Sequence, residues 1–216
     1  MIIVGAKGFA KEVLEVIHQL HSTDKIVFFD DISLDLPDML YSKFQILKSL
    51  EEAKLFFKNE NTSDFTLGLG TPILRKKMFE KFSSIGGVVK STISPYARLG
   101  IHDVSLGKGL NIMTGSVITC SVDVGDFALI NLNCTIGHDS TIGKFVEMSP
   151  GVHISGRCQI GDFVTIGTNA TLLPDVIVGN NVIIGANSLV NKNVPDNSVV
   201  VGVPAKVIKQ LPPLMI

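Results

Sequence analysis

Hydrophobic side chains recur at every sixth position between residues 106 and 190. The fifteen positions are Leu106, Ile112, Ile118, Val124, Ile130, Ile136, Ile142, Met148, Ile154, Ile160, Ile166, Leu172, Val178, Ile184 and Val190. Neither an α-helix, which turns every 3.6 residues, nor an ordinary strand, which alternates every two, produces this spacing. A six-residue repeat predicts a parallel β-helix, in which short strands separated by corners stack coil upon coil around an aliphatic interior.

A second period, of eighteen residues, predicts how many strands form one coil. Glycine occupies positions 107, 125, 143, 161 and 179, and phenylalanine occupies positions 127, 145 and 163. Eighteen residues are three repeats, so each coil has three faces, and residues eighteen apart lie on adjacent parallel strands roughly 4.8 Å apart. We expect about five coils over residues 106–195 and one less regular coil from Ser91.

Residues before position 90 follow a different pattern. Strands are predicted at 1–4, 26–29, 65–69 and near Val88, and helices at 9–20, 49–58 and 73–82. This alternation predicts a small α/β Rossmann-like domain with a parallel sheet. We therefore divide the chain into an α/β domain, residues 1–90, and a β-helix domain with a C-terminal tail, residues 91–216.

The composition favours small soluble substrates. The 216 residues carry a formal net charge of −1, so nothing in the charge balance favours nucleic acid or a membrane surface. The N-terminal stretch turns polar too early for a signal peptide, and no run approaches the ~18 apolar residues of a membrane span. Cys134 and Cys158 fall on small interior positions of the repeat, which does not indicate disulfides. These features predict a cytoplasmic protein.

Three segments of the α/β domain are candidates for a ligand crevice. Residues 5–9, Asp30-Asp31 and Gly70 each follow a predicted strand, and ligands of parallel sheets bind beyond the carboxyl ends of the strands. Gly8 opens the first helix, whose N-terminal N–H groups suit a phosphate. Because position 7 is lysine, the G-x-G-x-x-G fingerprint is absent, which favours a nucleotide-sugar diphosphate over NAD. A purely structural turn and a solvated Asp30-Asp31 strand end remain alternatives.

His138 is the candidate catalytic base. It lies two residues after Ile136 at a corner between faces, so its ring is expected to point outward. Imidazole is suited to taking a proton from an attacking amine or hydroxyl. The eighteen-residue register places Gly156 above it, which leaves room for a ligand and is expected to expose a backbone N–H to a developing oxyanion.

Asp139 has two interpretations. It orients the His138 ring, or it belongs to a surface charge ladder, because the register stacks Arg157 upon it and Asp175 upon Arg157. Asn131 is a candidate hydrogen-bonding group near the same site, although asparagine is also common at such corners for conformational reasons.

His153 is interpreted as structural, since the register stacks it between Thr135 and Thr171. A metal-dependent hydratase would need a close histidine pair and a third histidine, whereas residues 106–190 contain only His138 and His153. We therefore expect no metal.

Several motifs extend over essentially the whole chain. They are G-A-K-G-F-A-K-E at 5–12, F-F-D-D at 28–31, L-G-x-x-x-x-R ending at Arg75, N-x-N-C-x-I-G-H-D at 131–139, and V-x-G-V-P-A-K ending at Lys206. Together they resemble the hexapeptide-repeat acyltransferases of the nucleotide-sugar and sialic-acid group, which include bacterial UDP-4-amino-sugar N-acetyltransferases.

The resemblance implies a homotrimer of left-handed β-helices that binds a nucleotide sugar in the N-terminal domain and acetyl-CoA between neighbouring helices. The implied catalytic residues are His138, Asp139 and Asn131. The implied substrate-binding residues are Gly5, Lys7, Gly8, Phe9, Asp30, Asp31 and Gly70. The implied acetyl-CoA-binding residues are Glu147, Gly156, Thr168, Ala186 and Lys206. Glu147 stands where similar enzymes have a second histidine near the acetyl carbonyl.

The sequence thus predicts an acetyl-CoA-dependent N-acetyltransferase acting on a UDP-4-amino-deoxysugar. His138 is the general base in a direct transfer, because the cysteines predicted to be buried provide no nucleophile. One alternative is O-acetylation of a sialic acid or related sugar, since the same base serves a hydroxyl. The other is a sugar-nucleotide-binding scaffold protein without activity.

Overall fold

The N-terminal part of the chain is a parallel sheet covered by helices on both sides. The computed structural model describes residues 1–21, 25–33 and 35–215. The strands are β1 (Ile2–Val4), β2 (Val27–Phe29), β3 (Met39–Leu40), β4 (Phe44–Leu47), β5 (Asp64–Leu67) and β6 (Val88–Val89). The helices are α1 (Gly8–Gln19), α2 (Leu50–Asn59) and α3 (Pro72–Ser83). The strand order is β3-β4-β2-β1-β5-β6, and only β3 runs antiparallel to its neighbour.

The alternation of side chains in the strands explains the layers. Ile3 and Phe28 pack with Leu14 of α1 on one side, whereas Ile2 and Phe29 pack with the α2 and α3 residues on the other. Three predicted helices and four predicted strands are present with ends shifted by one or two residues. The β3–β4 hairpin was not predicted.

The rest of the chain is a left-handed parallel β-helix with three flat faces. The first face contains β7 (Thr92–Ile93), β10 (Asn111–Ile112), β13 (Leu129–Ile130), β16 (Glu147–Met148), β19 (Thr165–Ile166), β22 (Ile183–Ile184) and β24 (Ser198–Gly202). The second contains β8 (Arg98–Leu99), β11 (Val117–Ile118), β14 (Thr135–Ile136), β17 (His153–Ile154), β20 (Thr171–Leu172) and β23 (Leu189–Val190). The third contains β9 (Val104–Leu106), β12 (Val122–Val124), β15 (Thr141–Ile142), β18 (Gln159–Ile160) and β21 (Ile177–Val178). Neighbours within a face pair in the predicted register, as in Leu129 with Glu147.

The six-residue period has a backbone cause. Every sixth residue from Asp103 to Asn187 has a positive φ, between 52° and 79°. Each side of a coil is one short strand, and the chain must turn once before the next strand begins. Asparagine, aspartate and glycine tolerate this left-handed conformation best, and they fill most of the corner positions.

Phenylalanine fills three consecutive positions of one corner column. The rings of Phe127, Phe145 and Phe163 stack with centroids 4.6 Å and 5.2 Å apart. Phe79 of α3 contacts Phe127, with ring centroids 4.3 Å apart. The column therefore belongs to the apolar core of the α/β part, which offsets the cost of left-handed backbone at a bulky residue.

A buried arginine also joins the two parts of the chain. Arg75 of α3 is fully buried, and its guanidinium donates to Phe127 O (3.1 Å), Leu69 O (2.8 Å) and Asn111 Oδ1 (2.9 Å). Phe127 and Asn111 belong to the β-helix, and Leu69 follows β5. The α/β part is thus held against the first face of the β-helix.

The C-terminal segment predicted as a tail forms a strand. β25 (Ala205–Gln210) pairs antiparallel with β24 and extends the first face. Among the described residues, no helix has the length and hydropathy to cross a membrane.

Candidate active site

The three predicted ligand segments meet in one crevice of about 320 Å³. It lies at the carboxyl ends of β1, β2 and β5, where Gly5, Lys7, Phe9, Asp31 and Gly70 are among the lining residues. Asp30 lines it as well. Gly8 begins α1 beside the crevice without lining it. The sequence did not single out the apolar lining residues, which include Ile32, Leu74 and Met78.

The crevice carries free backbone donors at the start of α1. Lys7 is the N-cap of α1 but makes no side-chain cap, so the first N–H groups of the helix lack an internal acceptor. Gly5, at φ 116°, donates to Phe29 O (2.8 Å), and a Cβ there would lie 2.6 Å from Gly68 O. Nothing lies within 4 Å of a Cβ placed on Gly8. The turn therefore leaves an open, electropositive helix end that suits a phosphate.

Asp30 and Asp31 both have partners within the protein. Asp30 Oδ1 accepts hydrogen bonds from Ser33 N (2.8 Å) and Ile32 N (3.2 Å), which orders the loop after β2. Asp31 pairs with Lys81 of α3. Both line the crevice, so the ligand-binding interpretation stays a prediction.

His138 and Asp139 form a hydrogen-bonded pair at the corner between the second and third faces. His138 Nδ1 lies 2.6 Å from Asp139 Oδ2, and the two side chains are 51% and 57% exposed. Arg157 instead pairs with Asp175, at 2.6 Å and 2.9 Å. This pairing holds the pKa of Asp175 below its usual range. Asp139 is hydrogen-bonded to His138. The hydrogen bond with Asp175 is the main cause of the raised pKa of Arg157, and the charge of Asp139 makes only a small contribution to it. This geometry supports the orienting interpretation of Asp139 and leaves Nε2 as the free ring nitrogen, and the role of Asp139 stays a prediction.

Gly156 makes room for the His138 ring. A Cβ on Gly156 would lie 2.6 Å from His138 Nε2, so a side chain at this position would displace the imidazole. Gly156 is itself buried, because the ring covers it. The expectation that Gly156 exposes its backbone N–H is therefore wrong for the single chain.

Asn131, Thr168 and Ala186 lie at a different corner, the one between the first and second faces. Thr168 and Ala186 are exposed and eighteen residues apart. Asn131 Oδ1 accepts a hydrogen bond from Leu132 N (2.8 Å). Lys206 lies on β25 and is exposed. One chain therefore does not bring these four residues to His138.

Both parts of the chain are similar to known proteins. Residues 1–82 match the PglD N-terminal domain, and residues 157–192 match the bacterial transferase hexapeptide, six repeats. A histidine-to-asparagine variant of perosamine N-acetyltransferase from Caulobacter crescentus, in complex with CoA and GDP-perosamine, has a TM-score of 0.85 at 26% identity, covering 97% of this chain and 96% of that one. Both parts of the chain are thus similar to hexapeptide-repeat acyltransferases.

Two further proteins are similar to this chain. The acetyltransferase domain of PglB from Neisseria gonorrhoeae, in complex with acetyl coenzyme A, has a TM-score of 0.84 at 28% identity, covering 96% of this chain and 98% of that one. A putative lipopolysaccharide biosynthesis O-acetyl transferase, WbbJ of Escherichia coli (strain K12), is 54% identical over 37 residues. That match covers 17% of this chain and spans only 19% of the curated relative.

Glu147 lies on the first face rather than at the His138 corner. It begins β16, and a Cβ on Gly70 would lie 2.8 Å from Glu147 Oε1. Glu147 therefore meets the crevice side of the α/β part. Its place on the three-faced coil follows from the sequence, but its contact with Gly70 does not.

Three cysteines of the chain are free. Cys134 and Cys158 are buried in the β-helix core as predicted, and Cys120 is exposed. Burial raises the pKa of the Cys134 thiol to about 11, and it also raises the pKa of Cys158. Both thiols are therefore protonated at neutral pH and unsuited to nucleophilic attack.

The other histidine of the β-helix core region has a structural environment. His153 Nδ1 lies 2.9 Å from Thr135 Oγ1, and His153 pairs in register with Thr135 and Thr171. Within residues 1–21, 25–33 and 35–215, no three histidine, cysteine or acidic residues are grouped to hold a metal.

Proposed function

We propose that this protein moves the acetyl group of acetyl-CoA to the amino group of a nucleotide-linked amino sugar. The observation that carries the proposal is the exposed His138, whose Nδ1 is held 2.6 Å from Asp139 Oδ2. That arrangement leaves Nε2 free to accept the proton of an attacking amine. The bound CoA of the perosamine enzyme and the bound acetyl coenzyme A of the PglB domain support the donor assignment.

We assign residues 1–90 to the nucleotide sugar and residues 91–216 to acetyl-CoA and catalysis. The crevice suits a nucleoside diphosphate. The uncapped N-terminus of α1 attracts the phosphates, and the apolar wall suits the nucleobase. The complex of perosamine N-acetyltransferase with GDP-perosamine supports this substrate class. The sequence predicts a UDP-linked sugar, whereas the perosamine enzyme binds a GDP-linked one. The identity of the nucleotide therefore stays a prediction.

The proposed reaction is a direct transfer. His138 Nε2 accepts a proton as the sugar nitrogen attacks the thioester carbonyl, a C–N bond forms, and the C–S bond breaks. The proton then passes from His138 to the departing thiolate. Asp139 is a positioning residue that fixes the ring and stabilises its protonated form. This direct transfer uses no acyl-enzyme, and the two buried thiols, which are protonated, are unsuited to forming one.

We propose that the working form is a homotrimer whose neighbouring chains complete each site. Within one chain, the crevice adjoins the first face, through Gly70 and Glu147, whereas His138 lies between the second and third faces. A neighbour can present its His138 to that crevice. Asn131, Thr168 and Ala186, at a separate corner, then line the same groove between chains for acetyl-CoA.

Mixing two inactive variants tests the shared site. His138→Ala removes the base, and Gly8→Glu places a negative charge at the start of α1, where an added Cβ has open space. In a refolded 1:1 mixture, half of the chains have an intact crevice and the other half have an intact His138. If each site combines a crevice and a base from different chains, about one quarter of the sites are expected to have both intact. Mixtures as inactive as the separate variants would contradict a site shared between chains.

O-acetyl transfer is the second candidate. The match to the putative O-acetyl transferase WbbJ supports it, and a general base serves a hydroxyl as well as an amine. The acceptors of this alternative reaction are sialic acids or related sugars.

The function is tested by following CoA release from acetyl-CoA. The acceptors are UDP-, dTDP- and GDP-linked 4-amino-6-deoxy sugars, their 4-hydroxy counterparts and free sialic acids. We expect release only with nucleotide-linked amino sugars. Release with hydroxy acceptors alone would establish O-acetyl transfer, and release with none would contradict the proposed reaction.

A further inference from the structure

Glu147 lies where the α/β part stops covering the first face of the β-helix. In the outward-facing column of that face, Asn111 and Leu129 are buried, Glu147 and Thr165 are half-buried, and Ile183 is exposed. The column therefore passes from the covered interface into the open at Glu147. A carboxylate at such an edge is partly desolvated yet still reachable by a ligand.

The Glu147 carboxylate has no hydrogen-bond donor among the residues that the structure describes. Its backbone N–H donates to Val164 O (2.8 Å), but no side chain lies within ion-pair distance of its oxygens. Burial raises the pKa of Glu147, and the nearby charge of Arg75 opposes this shift with a smaller effect. A desolvated carboxylate without a donor is costly, so an external donor at this position would be bound favourably.

Gly70 lies between the crevice and this carboxylate. Gly70 lines the crevice, and a Cβ there would lie 2.8 Å from Glu147 Oε1 and 3.5 Å from its Cδ. Any other residue would occupy the space in front of Glu147. The structure thus places one unpaired carboxylate next to a glycine that lines the crevice.

Arg75 does not satisfy Glu147 directly. The donors of its guanidinium go to Phe127 O, Leu69 O and Asn111 Oδ1. It balances the charge of Glu147 across space while it fixes Leu69, the residue before Gly70. The hydrogen-bonding capacity of the Glu147 carboxylate is therefore unused within the described chain.

We propose that Glu147 determines acceptor specificity by accepting a hydrogen bond from the amino group of the sugar held in the crevice, which binds as the ammonium and loses one proton to solvent before the neutral amine attacks. This inference rests on the proposed function. A charge-assisted hydrogen bond from an ammonium is roughly twice as strong as one between neutral groups, so an amino sugar binds better than its hydroxy counterpart. Glu147 then belongs to the acceptor side of the site, rather than to the acetyl-CoA side that the sequence analysis predicted.

The test measures binding without turnover, by calorimetry in the absence of acetyl-CoA. The probes are GDP- and UDP-linked 4-amino-4,6-dideoxyhexoses and the corresponding 4-hydroxy sugars. For Glu147→Gln we expect Kd for the amino sugar to rise at least about tenfold, while Kd for the hydroxy sugar changes less than about twofold. Glu51→Gln, an exposed position of α2, makes the same charge change and should leave both values unaltered.

The possible outcomes separate this inference from the function it rests on. If both sugars bind and Glu147→Gln keeps the wild-type preference, the role of Glu147 is overturned while the nucleotide-sugar site stands. If no nucleotide sugar binds the wild type, the proposed function fails and the inference fails with it. Unfolding midpoints of the two variants check that neither change acts through the fold.

Discussion

Replacing His138 with alanine is expected to reduce kcat about 10²- to 10⁴-fold, the usual contribution of a positioned general base. The His138 side chain is half exposed, and its Nε2 is free of a hydrogen-bond partner within the described chain while Asp139 holds its Nδ1. Neither Cys134 nor Cys158 provides a thiolate that would open a second route. The measurement is CoA release with an accepted sugar, at saturating acetyl-CoA.

His153→Ala is the matched control for this loss. His153 is also exposed on the β-helix, but its ring nitrogen contacts Thr135 instead of a carboxylate. We expect its kcat to stay within about twofold of wild type, and both variants to unfold within about 0.5 kcal/mol of it. Near-normal turnover by His138→Ala would show that His138 is not the general base.

The β-helix was predictable because one physical requirement repeats along the chain. Each corner needs a left-handed residue and each strand needs inward aliphatic residues, so the sequence carries both signals every six positions. The eighteen-residue register then follows, and with it the stacking of Gly156 over His138. What the register did not provide was the choice of partner for Asp139. Arg157 stacks above it and His138 precedes it, so only side-chain geometry separates an oriented base from a charge ladder.

The contacts between the two parts of the chain were not predictable in the same way. The Phe127 column looked like another β-helix corner, although it packs on Phe79 of α3. Arg75 looked like part of a family motif, but two of its three hydrogen-bond partners lie 36 and 52 residues away in sequence. Such pairs leave no periodic signal in one sequence. The meeting of Glu147 and Gly70 is hidden for the same reason.

Arg75→Ala is expected to lower the free energy of unfolding by about 3–5 kcal/mol. Burial lowers the pKa of Arg75 to about 10, so the charge itself is costly to bury, and the benefit comes from its three hydrogen bonds. Alanine would leave Leu69 O, Phe127 O and Asn111 Oδ1 without this donor. It would also open a cavity between α3 and the β-helix. Urea unfolding at fixed protein concentration measures the loss.

Three further variants identify the cause of that loss. Arg75→Met fills much of the volume without donors and should recover only the cavity component, whereas Arg75→Lys keeps the charge but cannot make the same forked set of hydrogen bonds. Lys76→Ala removes the neighbouring cation, which pairs with Glu80 at the surface (2.5 Å), and should cost less than about 1 kcal/mol. If Arg75→Met were as stable as wild type, the hydrogen bonds of Arg75 would not stabilise the contact between the α/β part and the β-helix. If instead Arg75→Lys retained full stability, charge balance with Glu147 would outweigh the geometry of the guanidinium.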